Sequence, residues 1–145
     1  MSKSLKLKDN NYLDSSSIMH HRKSLEDILN IETISLYVNE DYVYLSDLQY
    51  MCVKIGKLVI LNIRTLAFKQ EIPNYQEIIY GLPKPSEYTI VYLYGGNGAS
   101  GATMRLGISD NGNSGVIKTH WSPSPIYGDS ANNQYGGTII YKTNE

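Results

Sequence analysis

From residue 88 to residue 108 the chain alternates with a period of two. In "EYTIVYLY", Tyr88, Ile90, Tyr92 and Tyr94 fall on one side, and Thr89, Val91 and Leu93 on the other. In "ATMRLGIS", Ala102, Met104, Leu106 and Ile108 oppose Thr103, Arg105 and Gly107. Such alternation places residues i and i+2 on one face only when the backbone is extended, so both segments are predicted strands. Between them lies "GGNGASG", in which Gly96, Gly98 and Gly101 have the G-x-G-x-x-G spacing of a dinucleotide-binding loop. That motif requires a following helix whose N-terminus carries the pyrophosphate charge, and an acidic residue ~20 positions further on. The next segment instead continues the strand period, and no Lys-Ser/Thr ending of a P-loop is present. The glycines therefore read as a hairpin connection.

The same period recurs from residue 32 onward. "TISLYV" and "DYVYLSDL" read as short strands, and "QYMCVKIGKLVILNIRTLAF" as two strands joined tightly at Gly56-Lys57. In the second of these, Val59, Leu61, Ile63 and Thr65 share one face, and Leu58, Ile60, Asn62 and Arg64 the other. Polarity enters the second face only near its end, which predicts a central strand covered on both sides. "GVIKTHW" and "GGTIIYKT" complete the set, separated by turn clusters such as "GLPKPSE" and "DNGNSG". Many short strands with Gly/Pro/Asn turns predict a mainly β, antiparallel sandwich or barrel over residues 32–145, and a jelly-roll-like β-sandwich is the architecture expected.

Residues 1–31 differ in character, being polar and rich in Lys, Ser, Asp and Asn. In "SLEDILN", Ser24 is placed to cap a short helix with Asp27 three residues on, and Leu25, Ile28 and Leu29 form one apolar stripe. A helix this short is marginal alone. Its stripe is expected to pack on the following domain or on copies of itself, and these three residues are the candidate trimer contact.

At 145 residues the chain has the length of one ordinary domain. Thirteen basic and fourteen acidic side chains nearly cancel, which argues against a nucleic-acid partner held by phosphate contacts. No run approaches the ~18 apolar residues of a membrane span, and "MSKSLKLKDNNYLDSSS" lacks the apolar core of a secretion signal. The single cysteine, Cys52, excludes an intrachain disulfide. It sits in an apolar strand, as a buried and inert thiol does. Thirteen tyrosines stand against one Phe and one Trp. That bias suits strands with half-exposed faces and equally suits a sugar- or protein-binding surface.

Catalytic chemistry finds no constellation: the acids are scattered singly, and no G-x-S-x-G, H-E-x-x-H or C-x-x-C occurs. No enzyme activity and no cofactor are expected. His20 and His21 are adjacent and cannot share a helix face as a zinc pair would; one of them lining a symmetry axis is the remaining metal possibility. The richest segment is "THWSPSPIYGDSANNQYGG", which supplies Trp121, Tyr127, Asp129, Asn132, Asn133, Gln134 and Tyr135. Aromatic faces stack on sugar C–H faces while planar polar groups answer the hydroxyls. Two readings stay open: a saccharide site in this connection, joined by Asn97 and Ser100 of the glycine loop, or a Trp121 that closes the core beside a polar loop.

The order of motifs resembles a known family. "LKLKDNNYLDSSSIMHHRKSLEDILN" is similar to the segment that opens receptor-binding head modules of tailed-phage and prophage tail proteins of Gram-positive bacteria. "VKIGKLVILNIRTLAF" followed by "IIYGLPKP" resembles the core of such a head, and "YGGTIIYKTNE" its last strand. The resemblance spans most of the chain, its motifs are structural, and it carries no catalytic residues. It implies a homotrimeric fibre or baseplate tip within the virion. Residues 1–31 would then join other tail or baseplate proteins, and the heads would hold a host-surface saccharide or protein. Three weak sites presented together gain avidity. The rival expectations are a purely structural tail component and a carbohydrate-binding module of a cell-wall-active system.

Overall fold

The computed structural model describes residues 30–97, 101–121 and 133–145, and its sheet belongs to the compact unit Glu32–Glu145. Among the described residues nine strands follow in chain order: β1 (Ile31–Thr33), β2 (Tyr37–Val38), β3 (Gln49–Ile55), β4 (Leu58–Ala67), β5 (Glu77–Leu82), β6 (Thr89–Asn97), β7 (Thr103–Asp110), β8 (Gly115–Thr119) and β9 (Asn133–Lys142). They join one sheet in the order β1-β3-β4-β9-β6-β7-β8-β5-β2. The protein is mainly β, and its antiparallel sheet curls into a half-barrel.

Three of the connections follow from local turn chemistry. Ile55 pairs with Leu58, so Gly56 and Lys57 form a two-residue hairpin loop, and Gly56 takes the positive φ of 59° that its first central position demands. β6 and β7 form a hairpin across the glycine loop, with Tyr94 opposite Thr103. β7 returns as β8 through "DNGNSG", where the Asn111 side-chain oxygen accepts from the backbone N–H groups of Asn113 and Ser114, each at 3.1 Å.

The curl has a local cause. Between the pairs Ile63↔Gly137 and Leu66↔Tyr135, β4 has two residues, Arg64 and Thr65, where β9 has only Gly136. Such a bulge bends its strand and sharpens the twist. On the other side of β9, pairing with β6 runs only from Tyr94↔Gly136 to Asn97↔Asn133, while β6 from Thr89 to Tyr94 pairs with β7. The sheet therefore parts beyond Gly136, and its two halves turn toward each other across one core. Phe68, Leu61, Ile63, Leu66, Leu93, Met104, Leu106, Ile108 and Ile117 fill that core. Ile34 and Lys54 from one edge and Gly81, Leu82 and Pro83 from the other line the same cavity of about 390 Å³ at the open side, together with Glu32 and Glu145. Lys54 is buried there, with its ammonium 3.6 Å from the Glu32 carboxylate.

Four expectations change. "TISLYV" is not one strand: Thr33 ends β1, and Tyr37–Val38 form β2 at the opposite edge of the sheet. Only one face of β4 is covered: Val59, Leu61 and Ile63 are buried while Leu58, Asn62 and Arg64 are exposed. A single curled sheet has one inner face, and apolar residues on its outer face do not imply a second layer. "DYVYLSDL" is not a strand. Asn39 accepts from the backbone N–H groups of Tyr42 and Val43 at 3.1 and 3.0 Å, its side chain accepts from Asp41, and Leu45–Asp47 form a 3-10 turn. Gly81 and Leu82, grouped above with a turn, complete β5.

The convex face divides by chemistry. On β3-β4-β9 the rank Val53, Ile60 and Ile140 crosses three strands, flanked by Met51 and Leu58, and Ile140 is 57% exposed. On β6-β7-β8 it carries tyrosines and cations.

Candidate functional site: a tyrosine face

β6 buries Val91 and Leu93 and turns Ile90, Tyr92 and Tyr94 outward. Register extends each of these into a rank across the sheet. Tyr94 stands opposite Thr103. Tyr92 stands opposite Arg105, whose carbonyl accepts from the His120 backbone N–H at 3.2 Å. Ile90 stands opposite Gly107, Gly107 opposite Lys118, and Lys118 opposite Glu77 of β5. The outward positions of β6, β7 and β8 from Ile90 to Lys118 thus hold Arg105 and Lys118 and no carboxylate.

Two further tyrosines lie across these ranks. Tyr88, just before β6, lays its ring on Gly107, where a Cβ would overlap the phenol. The Lys118 ammonium lies 5.5 Å from the centre of that ring, a cation–π contact. Burial, then Tyr75, pushes the Tyr88 phenol up, and Arg105 draws it back. Tyr75 arrives from the connection between β4 and β5 with a φ of 62°, a conformation that strains a bulky residue. It is held there by buried Thr119, whose hydroxyl donates to the Pro73 carbonyl at 2.6 Å and accepts from the Gln76 N–H at 2.9 Å. The Tyr75 N–H donates to the Thr119 carbonyl at 3.1 Å. The His120 ring is thereby set between Tyr75, edge-on at 5.5 Å, and Tyr88 at 6.1 Å. Among the described residues the buried His120 Nδ1 has no hydrogen-bond partner. Trp121 follows, 53% exposed.

Past Tyr94 the face opens into a groove of about 300 Å³. Gly95, Gly96, Gly136 and Gly137 contribute its backbone floor, and Arg64, Tyr94 and Gln134 its side-chain walls. Arg64 stands on the outward face of β4, in the bulge.

Trp121 does not close the core. Tyr135 does: only 6% exposed, it turns its ring onto Phe68, with centroids 6.0 Å apart, and burial raises its pKa. Asn133 begins β9 opposite Asn97 of β6. Tyr127, Asp129, Asn132, Ser100 and the Asn97 side chain lie outside the described residues, as do Leu25, Ile28, Leu29, His20 and His21. Cys52 is buried, and desolvation pushes its thiol from 9.0 to about 11. Among the described residues no group of three or more His, Cys, Asp or Glu side chains could hold a metal ion, and no helix is long and apolar enough to cross a membrane.

Sequence reasoning looked to the segment after Trp121 and passed over Tyr75, Tyr88, Tyr92, Tyr94, Arg64, Arg105, Lys118 and His120. The signal was in the alternation of "EYTIVYLY", which puts every tyrosine of β6 on one face and its aliphatic residues, Ile90 excepted, on the other. Comparison with protein-family models, curated proteins and solved structures gave no match.

Proposed function

We propose that the chain is a non-enzymatic binding protein whose tyrosine face recognises a saccharide. The observation that carries this reading is the exposed array of Tyr75, Tyr88, Tyr92 and Tyr94 around Arg105, Lys118 and His120. Aromatic rings left in water on a rigid sheet offer flat apolar surfaces, and their hydroxyls and the neighbouring cations answer sugar hydroxyls. Nothing in the array pairs two carboxylates across a cleft, as glycoside hydrolysis requires.

The setting that fits the N-terminal and core motifs is a receptor-binding head of a phage or prophage tail. In it, the two halves of the curled sheet act as the layers of a sandwich-like head. The host-surface ligand meets the tyrosine face, and residues 1–31 join the head to the tail. Three copies would multiply a weak site by avidity. The apolar patch of exposed Met51, Leu58 and Ile140 around half-buried Val53 and Ile60 favours self-association, because apolar surface of this kind marks contact sites. The same patch also favours a purely structural tail component.

Immobilised cell-wall polysaccharides of Gram-positive bacteria test the reading. The wild-type protein is expected to be retained, and Tyr92→Ala with Tyr94→Ala to abolish retention without changing the melting temperature by more than a few degrees. Equal retention of the double variant overturns the site. No retention of the wild type leaves only the structural role. Light scattering after size exclusion tests the trimer, which a strict monomer at micromolar concentration removes.

A further inference from the structure

We infer that the ligand of the tyrosine face is an extended, sparsely anionic saccharide that runs along β6 from the Tyr88 ring to the Arg64 groove. The inference rests on the saccharide reading above and adds the ligand's length and charge.

Length follows from the register. The Tyr88 ring lies at the level of Ile90 and Gly107, four residues from Tyr94 and so about 13 Å away along an extended strand, and the groove lies beyond Tyr94. A single sugar covers a fraction of that track, whereas a chain of several units engages Tyr88, Tyr92 and Tyr94 in turn. The backbone floor of the groove supplies a shelf for its far end.

Charge follows from the cations. Arg105 sits between Tyr92 and His120, Lys118 beside Tyr88, and Arg64 at the groove. Among the described residues neither arginine makes an ion pair. Three cations spread over such a track, with Lys118 facing Glu77 of β5, match one anionic group every few units. They do not match the dense phosphates of a nucleic acid, whose binding depends on neutralising many in a row.

The test divides a Gram-positive cell-wall polysaccharide by anion exchange into a charged and a neutral pool. Binding of each is measured by biolayer interferometry to the wild type and to Arg105→Gln with Lys118→Gln. Oligothymidylate serves as a third probe, and thermal melts show that both proteins are folded. The charged pool is expected to bind the wild type, and the double variant to bind it about tenfold more weakly, as loss of a charge-assisted contact implies. High salt should weaken the wild type more than the variant. A neutral pool that binds as tightly, or a variant that keeps its affinity for the charged pool, overturns the inference and leaves the saccharide reading intact. Failure of both pools overturns the two together. Oligothymidylate bound more tightly than the charged pool overturns the inference and reassigns the face to single-stranded nucleic acid.

Discussion

Gly107 lies beneath the ring of Tyr88, so closely that a Cβ at position 107 would meet the phenol Cζ at 2.6 Å. The strand has given up a side chain at the centre of its outer face, and an aromatic ring occupies the space. Lys118 and His120 border the same ring at 5.5 and 6.1 Å. One glycine thus sets the height at which the aromatic end of the face is built.

Gly107→Ala is therefore expected to lift Tyr88 while leaving the sheet intact. The ring is 47% exposed and free to swing outward. The stability cost is that of the exposed cation–π contact, about 0.5–1 kcal/mol. Saccharide binding should fall by about tenfold, since a misplaced aromatic platform loses about 1 kcal/mol or more of contact. Urea unfolding and polysaccharide binding measured on one preparation separate the two effects. A variant that binds like the wild type shows that Tyr88 takes no part.

Thr119→Val tests how Tyr75 is held. The substitution keeps the shape of a fully buried side chain and removes a hydroxyl that donates to Pro73 and accepts from Gln76. Two backbone groups lose their partner, which costs about 2–4 kcal/mol in total. The strained φ of Tyr75 then loses part of its support. The midpoint of urea unfolding should drop accordingly, and Tyr75 amide hydrogens should exchange faster than those of β7. An unchanged midpoint would place the hydroxyl in contact with water.

These positions show how much the sequence could disclose. Hairpins set by nearby residues were legible: Gly56-Lys57 and the glycine loop between Tyr94 and Thr103 both connect adjacent strands. The alternation also divided β6 correctly into two faces. It could not say which face was wet, because tyrosine is at home on either side of a sheet, and Tyr135 and Tyr141 are indeed buried. Nor could it place β9 between β4 and β6, pairings made between residues as distant in sequence as Leu58 and Lys142. The groove is lined jointly by β4, β6 and β9, so it had no local signature.

Cys52 gives a prediction in pH. Burial raises its thiol from 9.0 to about 11, so the folded state holds the proton where the unfolded chain releases it. The stabilisation is complete below about pH 9 and is lost as pH rises toward about 11. Tyr141, raised in the same direction by burial and by Cys52, steepens the loss. Its hydroxyl also donates to the Pro83 carbonyl at 2.7 Å. Native protein should resist a thiol reagent at pH 8 while urea-unfolded protein reacts at once. Cys52→Ala should flatten the alkaline decline of stability without abolishing it. Rapid labelling of the folded protein would contradict the assignment.

Gly136→Ala addresses the bend itself. A Cβ at this position would lie 2.9 Å from both the Ile63 and Arg64 carbonyl oxygens. These are backbone atoms of the bulge and cannot rotate away like a side-chain tip. The strands must separate or the bulge must move, at a cost of about 1–3 kcal/mol. Because Gly136 also pairs with Tyr94 on its other side, the strain should spread into β6 at the mouth of the groove. The variant is expected to unfold at lower urea and to exchange amide hydrogens faster at Ile63, Leu66 and Tyr135, while the β7–β8 hairpin keeps its protection. It should also bind the charged polysaccharide more weakly, because Arg64 is carried by the displaced bulge. Loss of stability with unchanged binding would confine the ligand to the Tyr88–Tyr92 end of the face.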